Sequence, residues 1–71
     1  MKLSEIKKNQ IVKVNSIHQV PEVIRAQILG MTEGAIVKCE SRTYGTIELN
    51  LFGSKIAISE DIAQHYTAEL Q

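Results

Sequence analysis

The chain has 71 residues; 44% are hydrophobic but only 4% aromatic, and eight basic and eight acidic side chains cancel to a formal charge of zero. A length of this order makes one small domain, 1–71, that buries about 60% of its unfolded surface around an aliphatic core. Zero net charge argues against a phosphate backbone as the main partner, which needs a clustered positive field. The lone cysteine, Cys39, rules out an internal disulfide.

In chain order, Ser4-Glu5-Ile6-Lys7-Lys8 reads as an opening turn that Ser4 is placed to cap. Ile11 to Ile17 reads as a first strand with Val12 and Val14 on one face and Ile11 and Lys13 on the other. Ile17 breaks that alternation, which predicts a bulge near Asn15-Ser16. Val20 to Leu29 reads as a helix. Pro21 suits its first position and Glu22 its positive end, and Val20, Val23, Ile24 and Ile28 share a face. Gln27 falls among those apolar positions and Leu29 projects nearly opposite.

Ala35 to Arg42 is a second strand, with Ala35, Val37 and Cys39 inward. Thr46 to Phe52 is a third, with Ile47, Leu49 and Leu51 on one side. Gly53-Ser54 is a hairpin signal, and Lys55 to Ser59 follows as a fourth strand. Ser59 caps one turn through Ala63. Gln64 to Ala68 closes the sheet, with Glu69-Leu70-Gln71 expected to fray. Five short strands with one helix inserted after the first predict a mainly β fold, a small five-stranded barrel.

The run Leu29-Gly30-Met31-Thr32-Glu33-Gly34-Ala35-Ile36-Val37 carries the most information. Gly30 suits the left-handed residue just past a helix, and Met31 then makes the apolar contact back to the last helical turn. Gly34 suits the last position of the turn Met31-Thr32-Glu33-Gly34. The pair is not a phosphate loop, because no strand precedes Gly30 and no helix follows Gly34.

This run resembles the leucine-Gly-leucine/methionine-x-x-Gly-x-x-Val centre of FeoA-type proteins, small partners of the bacterial ferrous-iron transporter FeoB. Leu3 to Val14 resembles the opening turn and first strand of that family. Phe52-Gly53-Ser54-Lys55-Ile56-Ala57-Ile58 resembles its late hairpin, and Ala63 matches an alanine before its last strand. Departures are Lys8-Asn9 in place of Pro-Gly, Ala26-Gln27 in place of leucines, Tyr44-Gly45-Thr46 in place of Gly-Asp-Pro, and Ile58-Ser59 in place of Leu-Arg. The resemblance implies an SH3-like barrel and a non-enzymatic accessory role in ferrous iron uptake, through protein–protein interaction with a FeoB-like transporter.

The residues themselves show no catalytic constellation. Cys39 sits on the apolar side of its strand and reads as a buried thiol. His18 and His65 stand singly, without a second ligand at metal spacing, so no metal site and no cofactor is expected. Interaction is the remaining class. Arg25 and Leu29 on the helix, with Met31 in the turn, are the candidate partner-binding patch, and Gly30 and Gly34 are structural turn residues. The alternative for Leu29 and Met31 is the core. An exposed strand edge carrying Glu48 and Asn50 is the fallback surface.

No signal-peptide pattern opens the chain, and no apolar run approaches the ~20 residues of a membrane span. With the unbridged cysteine, this makes a cytoplasmic location the expectation. Weak self-association stays open. Two other functions compete: a stand-alone SH3-like regulatory module related to metal-dependent repressors, and a small nucleic-acid-binding barrel. Neutral charge and scarce aromatics disfavour the latter.

Overall fold

Apolar residues at every second position give each strand one face for the core and one for water, and the computed structural model pairs five such strands into one antiparallel sheet. It describes residues 1–22, 24 and 30–71. A 3-10 turn, Leu3–Glu5, leads into β1 (Ile11–Ile17), β2 (Ile36–Thr43), β3 (Thr46–Leu51) and β4 (Ser54–Ser59). A single helical turn, α1 (Glu60–Ala63), connects to β5 (Tyr66–Leu70). The strand order is β4-β3-β2-β1-β5. The two edge strands are not hydrogen-bonded to each other, so the expected barrel is an SH3-like sheet that does not close.

Val12, Val14, Val37, Cys39, Ile47 and Leu49 are at most 1% exposed, so the inward faces expected for β1, β2 and β3 are correct. The β1 bulge is also where expected. Val14 pairs with Ala68 and Ser16 with Thr67, leaving Asn15 unmatched, and Ile17 then pairs with the buried Tyr66. A second bulge, at Glu40, was not foreseen. Cys39 pairs with Leu49, Ser41 with Glu48 and Arg42 with Ile47, so Arg42 joins the same face as the buried Ile47 instead of the outer one.

Several boundaries shift by a residue or more. Glu5, not Ser4, closes the opening turn: the Lys2 N–H donates to Glu5 Oε1 at 2.9 Å. The β3–β4 loop is Phe52-Gly53, because Leu51 pairs with Ser54. Both loop residues have positive φ, 53° and 84°, as a type I′ turn requires. Glu69 and Leu70 do not fray; they pair with Lys13 and Val12. Met1 and Lys2 lie along the other side of β5, where Ala68 N–H donates to the Met1 carbonyl at 2.8 Å and Lys2 bridges to Thr67. The strand carrying Glu48 and Asn50 is interior, between β2 and β4, so it offers no free edge.

The helix expected over Val20–Leu29 lies largely outside the described residues. Glu22 and Ile24 are helical, and Ile24 N–H donates to the Pro21 carbonyl at 3.0 Å. The second helical turn is as expected: the Ser59 hydroxyl accepts from Ile62 N–H at 3.2 Å.

Candidate interaction surfaces

The glycine-punctuated connection into β2 is built for position, not chemistry. Gly30 has φ +88°, the left-handed conformation expected of it, and Gly34 has φ +89°. The turn is one residue later than its sequence suggests. Ala35 N–H donates to the Thr32 carbonyl at 3.0 Å, which makes Gly34 the third residue of Thr32-Glu33-Gly34-Ala35, where a type II turn needs positive φ. Gly34 N–H donates to the Val14 carbonyl and Val14 N–H to the Ala35 carbonyl, at 2.7 and 2.8 Å, which fastens the turn to β1. A β-carbon on Gly30 would stand 3.3 Å from Leu51 Cδ2, so the chain passes close to the end of β3 there.

Met31 is 2% exposed and belongs to the core. That corrects its place in the docking patch: its side chain is buried in the core cluster, and it offers a partner almost no surface. Arg25 and Leu29, the other members of that patch, lie outside the described residues.

At the opposite end of β3, Arg42 is the hub. Its Nη1 donates to the carbonyls of Ser4 at 2.8 Å and Ile6 at 2.5 Å, and its Nη2 donates to Glu60 Oε1 at 2.6 Å. An open recess lined by Arg42, Thr43, Tyr44, Gly45 and Glu60 lies beside it, with the Tyr44 ring fully exposed. These guanidinium bonds are all internal, so this end is tied to the fold.

The two histidines are not as scattered as their spacing implies. His18 N–H donates to the His65 carbonyl at 2.7 Å, and His18 Nε2 is 2.8 Å from Ser16 Oγ, which also hydrogen-bonds Thr67 Oγ1. Among the described residues, no three His, Cys, Asp or Glu side chains are grouped to hold a metal ion. Cys39 is fully buried; burial pushes its thiol above the usual range, against a smaller opposing pull from Arg42. Its Sγ faces the Ser41 carbonyl at 3.7 Å. Among the described residues, no helix is long and apolar enough to cross a membrane.

Comparison with known proteins agrees with this architecture. The solution structure of a FeoA protein from Chlorobium tepidum superposes with a TM-score of 0.86 at 30% identity, covering 99% of this chain and 70% of that one. The crystal structure of an iron uptake regulatory protein (FeoA) gives 0.85 at 21% identity, over 100% of this chain and 96% of that one. T. acidophilum IdeR shares the fold at a TM-score of 0.85 and 19% identity, with 100% of this chain covering 34% of its length. No curated protein matches the sequence. The FeoA domain model matches residues 1–66. A match across nearly the whole chain, on a sheet whose glycine turn holds the conformation its motif demands, places this protein in the FeoA family, and that membership supports a role in ferrous iron transport.

Proposed function

We propose that this protein is a cytoplasmic accessory factor of ferrous iron uptake that acts by binding a FeoB-like transporter from its cytoplasmic side, with iron as the transporter's cargo. The FeoA match over residues 1–66 is the observation that carries the reading. Binding, not catalysis, suits a domain whose buried thiol faces a backbone carbonyl and whose guanidinium bonds are internal. Arg25 and Leu29, which lead into Gly30, remain proposed contacts.

The test is co-purification of the tagged chain with the detergent-solubilised transporter from the same cells, beside ferrous uptake in cells lacking the chain. Retention on the transporter and reduced uptake are expected. Normal uptake with no retention would overturn the proposal. Arg25→Glu and Leu29→Asp, each checked for folding, then report on the helix end.

The likeness to IdeR is consistent with a second reading, a stand-alone SH3-like regulatory module related to metal-dependent repressors. At 19% identity it shows shared fold alone, and association with such a repressor in place of the transporter would select it.

A further inference from the structure

We infer that the outward face of the sheet at its Phe52 end is a docking surface for a protein segment that presents carboxylates beside apolar side chains. This rests on the reading that the chain acts by binding a protein, and deepens it by naming the surface and the chemistry of what it takes.

Strand register assembles the face from four strands. Ile11 on β1 lies opposite Lys38 on β2, Lys38 opposite Asn50 on β3, and Asn50 opposite Lys55 on β4. In the next outward row Glu69 lies opposite Lys13, and Lys13 opposite Ile36. Phe52 follows Leu51, the partner of Val37, and so stands at the same end as Ile36. The row between these two carries the buried Val12, Val37 and Leu51, so alternation turns both flanking rows away from the core. Ile11 is 43% exposed, Ile36 42% and Phe52 80%. Lys13 is 3.5 Å from Glu69, whereas Lys38 and Lys55 meet no carboxylate among the described residues. A chain with no net charge thus gathers three lysines, one glutamate and three exposed large apolar side chains in these two outward rows at the Phe52 end, with Glu48 in the next outward row toward the far end of β3.

Phe52 supplies the second observation. Its φ of +53° is a conformation that Asn or Gly adopts readily and a phenylalanine does not. The turn is held independently of the ring, by Asn50 Oδ1 accepting from Gly53 N–H at 3.0 Å. An aromatic ring that is strained and mostly in water contributes little to folding, and strain of this kind collects at binding sites.

The charges select the occupant. A second copy placed face to face would set lysine against lysine. Anionic lipid surfaces are read by clusters of about four to eight basic residues, more than the two uncompensated lysines here. A segment with carboxylates for Lys38 and Lys55 and apolar side chains over Ile11, Ile36 and Phe52 answers both halves of the surface.

Two variants keep the fold. Phe52→Asn puts an ordinary turn residue at the tip, and Lys38→Glu with Lys55→Glu changes only outward positions. Backbone amide shifts of the full chain are followed by NMR with a short peptide of alternating glutamate and leucine, its lysine–leucine counterpart, and vesicles of anionic lipid. The expected result is a shift set centred on Ile11, Ile36, Lys38, Phe52 and Lys55 with the glutamate peptide. Affinity should fall about tenfold or more in both variants while their unfolding transitions persist. Shifts elsewhere, equal response to the lysine peptide, preference for vesicles, or undiminished affinity in the variants would each overturn the proposal. The peptide contains no transporter sequence, so this outcome is independent of co-purification with the transporter: loss of the latter alone removes the named partner and leaves the surface.

Discussion

Arg42 and Glu60 meet at 2.6 Å, Nη2 to Oε1, and the same guanidinium reaches the Ser4 and Ile6 carbonyls, so one side chain joins the opening turn, the end of β2 and α1. The Glu40 bulge makes this geometry, by moving Arg42 onto the face that looks toward those carbonyls.

Replacing that fork with a single ammonium cannot serve three acceptors in two directions. Arg42→Lys is expected to cost about 1–2 kcal/mol in urea unfolding, after discounting for a side chain that is partly solvated. Glu60→Gln should cost about 0.5 kcal/mol or less, because the carboxylate is exposed and the two carbonyl bonds remain. Equal losses would show that the ion pair, not the carbonyl clamp, carries the stability.

Gly30 and Gly34 share a left-handed backbone but differ in their surroundings. A β-carbon at Gly30 would stand 3.3 Å from Leu51, whereas at Gly34 it meets nothing within 4 Å. Gly30→Ala should therefore destabilise more than Gly34→Ala, and Gly30→Val by more than about 1 kcal/mol, since a β-branched residue is strained there. Matching denaturation midpoints for the two alanine variants would contradict the close approach to Leu51.

Phe52→Asn should raise stability by about 0.5–1 kcal/mol, because it relieves part of the left-handed strain without removing a buried contact. A lower thermal midpoint would mean that the ring packs in a way its 80% exposure denies.

The buried Cys39 thiol has its pKa raised by burial, so its neutral form is the one the fold favours. Its contribution to stability is complete below the unfolded thiol's pKa of about 8.5 and is lost as pH rises through the folded value. Unfolding free energy should therefore fall in alkaline solution more steeply for the native chain than for Cys39→Ala. Thiol reagents should label the native chain slowly, at a rate set by opening. Parallel pH profiles for the two proteins would count against this.

Much of the fold was legible in local patterns. Period-two alternation identified the inward residues of β1, β2 and β3, the misfit of Ile17 located the first bulge, and Ser59 marked α1, because each depends on neighbours within a few residues. The glycine run located the left-handed Gly30 for the same reason, since φ is a property of one residue, whereas the turn that puts Gly34 at positive φ begins one residue later than the sequence suggests. What tertiary structure alone decided is everything that depends on which strand lies beside which. The Glu40 bulge reverses the parity of Arg42 only when β2 pairs with β3, and the burial of Met31 depends on what packs over it, which the sequence left open. The rows that bring Ile11, Lys38 and Lys55 together join residues up to 44 positions apart, a proximity that sequence spacing cannot express and hydrogen-bond register imposes.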